Sequence, residues 1–329
     1  MLPIDFTRKL IDIESISGNE KAVAYFLRDR LQSLGARVEL EEAEPDRPNV
    51  FASWGRPDVV LSTHTDTVPP FIPSREDDQY VYGRGACDAK GIIAAQVEAA
   101  SQLRADGISD FGLLFVVGEE RNSAGAAAAN RNPRGARYLI NGEPTENRLA
   151  IGTKGALRVE VEATGRAAHS AYPELGESAT EKLLEALNRL RSIPLPEDPV
   201  LGRTTCNIGI LQAGIAPNVI PNQARAELMY RLVGPGEPLL AAIREAVGSL
   251  ATVKKILEIP PVRLNRMDGL ETTVVAFATD IPSLSGWGEP FLIGPGSIQV
   301  AHTEHERIAK AELMQATAIY VKMVKKLKE

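Results

Sequence analysis

Five short segments of the chain each end a hydrophobic run with metal-seeking side chains. They are His64-Thr65-Asp66, Gly85-Ala86-Cys87-Asp88, Gly118-Glu119-Glu120, Gly142-Glu143-Pro144 and Ala301-His302-Thr303-Glu304-His305-Glu306. Activating water at neutral pH takes a metal, ligands that hold it and a base that accepts the water's proton. His64 and Asp66 stand two apart at a predicted strand end and leave the same face, so the imidazole can ligate while the carboxylate takes its spare proton and fixes the tautomer. Asp88 lies between Gly85 and Gly91 in a turn that leads into a helix, and glycine there permits the backbone angles that return a carboxylate to a cleft. Glu119 and Glu120 are adjacent and cannot point the same way from extended backbone, which suits one as ligand and the other as base. Glu143 and His302 complete the set. Each residue alone has an ordinary use: a buried His–Asp pair, a helix-capping Asp, exposed glutamates at a helix start, a turn residue before proline. All five segments in this order point to a two-metal hydrolase. Cys87, beside Asp88, reads as a small packing residue.

The elements that must position these groups follow from periodicity. Asp5 caps a first helix over Phe6 to Ile13, and Ser17 with Glu20 has the spacing of a capping box before a helix with Val23, Phe26, Leu27, Leu31 and Leu34 on one face, ended by Gly35. Strands are predicted over Arg37 to Leu40, Asn49 to Trp54, Val59 to Thr63, Leu113 to Val117 and Arg137 to Asn141, with a helix from Gly91 to Leu103 and another capped by Ser123. This alternation implies an α/β fold, a mostly parallel mixed sheet flanked by helices, and in such sheets ligands bind beyond the C-terminal strand ends, where His64, Glu119, Glu120 and Glu143 fall. From about residue 154 the order becomes strand (Leu157 to Thr164), helix (Glu177 to Leu190), two strands (Thr204 to Leu211, Ala224 to Leu232), helix (Glu237 to Ser249) and strand (Val253 to Ile259), the order of a ferredoxin-like α+β insert. The expected organisation is a discontinuous catalytic domain, 1–153 and 261–329, interrupted by an insert, 154–260.

Bulk properties narrow the partners. The chain has 329 residues, 44% hydrophobic and 24% charged, which is ordinary globular composition. A net charge of −6 argues against nucleic acid or an anionic membrane surface as partner. The two cysteines, Cys87 and Cys206, make no disulfide framework and fit a reducing cytoplasm. The first residues lack a basic stretch followed by an apolar one, so no signal peptide is read, and no apolar run approaches the ~20 residues that span a bilayer.

At these motifs the sequence resembles the two-zinc metallohydrolases that include acetylornithine deacetylase, succinyl-diaminopimelate desuccinylase, aminoacylases and carboxypeptidase-G-like enzymes, over essentially the whole chain. The resemblance implies two Zn2+ ions, with Co2+ or Mn2+ as substitutes. His64, the shared Asp88 and Glu143 would hold one, and Asp88, Glu120 and His302 the other. Asp66 would orient His64, and Glu119 would be the general base for a hydroxide held between the metals. Gly165-Arg166-Ala167-Ala168-His169-Ser170 matches the family's histidine motif, so His169 would reach the partner subunit's active site in a homodimer built through the insert and stabilise the oxyanion. Asn218 would contact substrate and Arg231 grip its carboxylate, although relatives usually carry an acid two residues earlier, where this chain has Met229. His305 is read as a surface residue or as one that backs a ligand. The segment Leu292 to Ser297 looks most like acetylornithine deacetylase, with Gly296 letting backbone approach a bound carboxylate, so the expected substrate is an N-acyl amino acid, N-acetylornithine, in arginine biosynthesis. Rivals are succinyl-diaminopimelate desuccinylation, dipeptide or carboxypeptidase cleavage, release of an amino acid from a carrier protein and, outside catalysis, a binding protein that keeps the fold.

Overall fold

Alternate side chains of the central strands enter two different cores, and this decides the layering. Val59 and Leu61 join one apolar cluster while Val60 joins another; Leu113 and Phe115 divide from Leu114 and Val116 in the same way. A strand apolar on both faces needs cover on both, as in a helix–sheet–helix sandwich. The computed structural model describes residues 3–329, which fall into two units: residues 3–151, 264–273 and 279–329, and residues 152–263 with 274–278.

In the first unit the sheet runs, edge inward, Arg37–Glu44, Arg47–Trp54, Phe111–Val116, Val59–His64, Tyr138–Asn141 and Glu289–Leu292, which also meets Ala150. Pairing is parallel in the middle, from Phe111–Val116 through Val59–His64 and Tyr138–Asn141 to Glu289–Leu292, and antiparallel toward the edges. The helices Pro3–Ile11, Lys21–Ser33, Lys90–Ala105 and Lys310–Lys328 contribute to the larger core. The short Ala124–Ala129 helix and Trp287 cover the other face. Parallel neighbours that begin together also end together, so three chain turns meet at one edge of the sheet.

The second unit is a four-stranded antiparallel sheet in the order Thr205–Ala213, Gln223–Leu232, Gly155–Thr164, Thr252–Ile259. With the helices Ala179–Ser192 and Gly236–Val247 it has the ferredoxin-like arrangement expected of the insert's element order. Leu157, Val159 and Val161 interleave with Ala226, Leu228 and Tyr230 on the face that packs on Leu183, Leu187, Leu240 and Ile243. Arg158, Glu160, Glu227 and Arg231 alternate to the opposite face.

Three local expectations differ from the structure. The first helix starts at Pro3, which puts Asp5 in its first turn instead of at the cap. The Ser17–Glu20 capping box does not form: Ser17 Oγ donates to Asp66 at 2.6 Å, and the fully buried Glu20 binds the Arg47 guanidinium at 2.5–2.8 Å. A buried charge takes an ionic partner over a weak helix cap. Ser123 does precede a helix, but with φ +54° and no side-chain cap bond. No described helix is long and apolar enough to cross a membrane.

Candidate metal centre

The Val59–His64 strand lies between Phe111–Val116 and Tyr138–Asn141, and the residues that follow all three carry chemistry. His64 closes the first strand, in register with Val116. The Thr65 amide donates to Val116 O at 2.8 Å, so Asp66 is delivered beside the turn that holds Glu119 and Glu120. On the other side Gly142 N donates to Ser62 O at 2.7 Å and Thr63 Oγ1 to Gly142 O at 2.9 Å, which sets Glu143 next to His64. Asp88 comes from the turn before the Lys90–Ala105 helix, and His302, in left-handed backbone at φ +64°, from the loop after Glu289–Leu292. That conformation is costly for a non-glycine residue and is kept where the surroundings demand it.

The side chains converge. His64 Nε2 is 2.9 Å from Asp88 Oδ1; His302 Nε2 is 3.3 Å from Asp88 Oδ2 and 2.9 Å from Glu120 Oε1. Two donor groups result, His64–Asp88–Glu143 and Asp88–Glu120–His302, each with its ligand atoms within 4.8 Å of one another. Asp88 belongs to both. These are the two groupings that the family resemblance implies.

Electrostatics show what the centre can hold. Burial and the nearby Glu143 carboxylate push the Glu119 carboxyl well above its ordinary range, and burial does the same to Glu143. Burial also raises Glu120, against the opposing pull of His302. Burial alone would raise Asp88 too, but its bonds to both imidazoles hold it far below the usual carboxylate range. Asp88 and Glu120 together lift the His302 imidazole to about 10. Glu143 Oε1 is buried and accepts no hydrogen bond. A desolvated excess of carboxylates around an unpaired acceptor, with imidazole and carboxylate oxygen as the donors, fits a pair of divalent cations.

Asp66 differs from its expected role by doing more than orienting His64. His64 Nδ1 lies 3.0 Å from the main-chain carbonyl of Asp66 and 3.5 Å from its carboxylate, so the carbonyl is the nearer partner for the imidazole proton. The carboxylate also accepts from Ser17 Oγ and from the amides of Glu119 and Glu120, at 2.6, 3.0 and 3.2 Å. Burial would raise this carboxyl, but His64, Ser17 and the Glu119 amide outweigh it and hold it low. One side chain thus fixes the turn that bears both glutamates.

Gly296 also differs. It is buried, with φ +88°, a Cβ there would fall 2.5 Å from Cys87 Cβ, and its N–H already donates to Glu312 at 3.0 Å. Glycine is required by close packing over the Asp88 turn, and the amide is not free for a substrate carboxylate. Asp280 carries no motif, a lone acid after the apolar run Val274 to Phe277, yet it is fully buried with neither oxygen hydrogen-bonded. Burial first, then Asp66, raises it to about 6, with Ser123 and His64 opposing.

In the second unit, His169 and Asn218 lie at the short Ala168–His169 and Val219–Ile220 pairing, both exposed, and Ser170 N donates to Asn218 O at 3.0 Å. Arg231 projects half-buried from the sheet face opposite the helices; burial alone lowers its guanidinium, and no acid among the described residues pairs with it. Met229, two residues earlier on the same face, supplies no counter-charge. His305 is exposed.

Residues 60–326 match the family described as peptidase family M20/M25/M40. The chain belongs to this family. It is 41% identical to a "probable carboxypeptidase" of Aspergillus clavatus over 98% of this chain and 81% of that protein, and other Aspergillus relatives carry the same description. Among solved structures it resembles a tripeptidase of Staphylococcus aureus, with a TM-score of 0.84 and 21% identity over 99% of this chain and 98% of that one. It also resembles a dinuclear metal-binding M20 peptidase of Bacillus subtilis, with a TM-score of 0.72 and 16% identity over 98% and 96%. The M20 member described here is therefore a hydrolase of the metallopeptidase class, on the mixed α/β fold expected. The specific likeness to acetylornithine deacetylase is not what these relatives bring forward; they are named for peptides.

Proposed function

We propose that this M20 enzyme uses two metal ions to hydrolyse a peptide bond next to a free carboxylate, as a carboxypeptidase or dipeptidase. The observation that carries the reading is the pair of donor clusters sharing Asp88. His64, Asp88 and Glu143 would hold one ion, and Asp88, Glu120 and His302 the other; imidazole and carboxylate donors accept zinc, cobalt or manganese. Such ions, when bound, polarise the scissile carbonyl and acidify water. Glu119 takes the proton of the attacking water and passes it to the leaving amine as the C–N bond breaks. Its burial beside Glu143, which favours the protonated form, suits it to the accepting step.

His169 Nδ1 accepts the Ala171 N–H at 3.1 Å, so Nε2 carries the ring's hydrogen and is free to donate to a developing oxyanion in a partner subunit. The partner is a second copy joined through the insert. Its support is the Thr205–Ala213 edge strand, exposed along nearly all its length, with Ile210 and Leu211 40% and 54% exposed and Ile215, just beyond it, 90% exposed; an open edge of this kind pairs readily with another chain. Asn218 and the unpaired Arg231 are assigned to the substrate, Arg231 to its carboxylate by a two-toothed contact. Free thiols at Cys87 and Cys206 suit a reducing compartment such as the cytoplasm.

N-acetylornithine deacetylation is the second reading, favoured by the Leu292-to-Ser297 segment, and it uses the same centre. A panel of dipeptides, tripeptides, N-acetylated and N-succinylated amino acids decides between them. The expected result is kcat/KM highest for a peptide with a free C-terminus and much reduced when that terminus is amidated. Faster release of acetate from N-acetylornithine than of amino acid from any peptide reverses the ranking.

A further inference from the structure

One buried ion pair touches three of the ligand-bearing segments and has no part in the roles assigned so far. Arg84 and Glu306 are 2% and 1% exposed. Arg84 Nη1 donates to Glu306 Oε2 at 2.5 Å and to Thr303 O at 3.3 Å, while its Nε donates to Pro70 O at 3.3 Å. Glu306 Oε1 accepts the Gly85 amide at 2.9 Å, with the Asp88 and Cys87 amides at 3.3 and 3.4 Å. The Gly83 amide donates to the main-chain carbonyl of Glu306 at 3.1 Å. Successive amides turned onto one oxygen form an anion-binding nest, and the anion here belongs to a residue four positions after His302.

Stability alone is a poor reason to keep such a pair, because well-packed apolar replacements of buried ion pairs are often neutral or better. Its geometry has a more specific effect. The Asp88 carboxylate must present one oxygen to His64 and the other to His302, and its own backbone amide is among those gathered by Glu306. The Pro70 and Thr303 carbonyls, held through Arg84, tie the segments that follow His64 and His302 to the same point.

We infer that Glu306 is a positioning residue: with Arg84, it orients the Gly83–Asp88 turn so that both oxygens of Asp88 face the two histidines. The inference rests on Asp88 being the shared metal ligand. Glu306→Gln keeps the shape but leaves one acceptor oxygen for two sets of donors, so affinity for the ions falls by about 10- to 100-fold, as for other groups that orient metal ligands. The measurement is Co2+ titration of metal-free protein, followed by visible absorption and by competition with a chromophoric chelator. Circular dichroism and the melting temperature of the metal-free protein are recorded beside it, with His305→Ala, an exposed neighbour, as control. An Arg84→Met/Glu306→Leu double variant separates orientation from folding: it removes both charges together, and weak Co2+ binding is expected to persist in it whatever its melting temperature. It also supplies the reading should Glu306→Gln not fold. A loss under about threefold in Glu306→Gln, or recovery of wild-type affinity in the double variant, overturns the inference. Wild-type protein that takes up no Co2+ removes the ligand assignment itself; wild type and Glu306→Gln binding alike removes only the role of Glu306.

Discussion

The metal centre and the insert were both marked by motifs with histidine, yet they are built in opposite ways. In the centre, Asp66 alone spends its carboxylate on one hydroxyl and two amides, and Asp88 meets two imidazoles. In the insert, His169 and Asn218 are exposed on a two-residue pairing, and Arg231 projects from an open sheet face with no acid beside it. The first constellation is satisfied by its own chain apart from cations. The second is a set of exposed or half-buried donors with no carboxylate partner among the described residues. Charge satisfied within one region and donors left open in the other is the division between them.

Substitutions can break that division or sharpen it. Glu119→Gln has the largest expected effect, a fall in kcat of about a hundred- to ten-thousand-fold with metal content unchanged by elemental analysis; near-normal turnover rejects Glu119 as base. His169→Ala is expected to lower kcat by about a hundred- to a thousandfold while leaving metal affinity untouched, since nothing in the centre depends on that ring. A parallel loss of metal would erase the distinction between the regions. Leu211→Lys places a charge on the open edge strand and is expected to shift the protein from dimer to monomer in sedimentation velocity, again with metal retained. An unchanged sedimentation coefficient points to another contact surface. The smallest effect belongs to Arg189→Ala, which removes an exposed ion pair with Glu185 one helical turn away and should change stability by only about 0.3–0.5 kcal/mol in urea titration.

Much of the centre was legible because metal chemistry restricts residue types and because parallel strands force their ends together. His64, Glu119, Glu120 and Glu143 each follow an apolar run, and such runs can be read directly. What escaped was pairing across long sequence distance. Ser17 and Glu20 have the spacing of a helix cap, but their partners, Asp66 and Arg47, lie far along the chain, and local spacing carries no trace of them. Asp280 has no neighbour of its own kind, and Glu306 was visible only as one more acid in a charged segment. Gly296 was read as a place for a ligand's carboxylate because a glycine vacates space; here Cys87 fills that space. The insert's strand order followed from the alternation of apolar and polar residues, whereas the reach of His169 is a matter of assembly, which one chain's pattern does not encode.

The two thiols stand at opposite extremes of access. Cys87 is sealed under Gly296, and burial with the adjoining Glu306 and Asp88 carboxylates drives its sulfur strongly toward the protonated form, so it is closed to alkylation. Cys206 sits exposed on the edge strand, directly across from Tyr230. A maleimide dye on a lone native polypeptide would therefore go to Cys206, whose thiol is raised by burial, and slower labelling in the assembled protein reports that a second copy covers the strand, without any engineered cysteine.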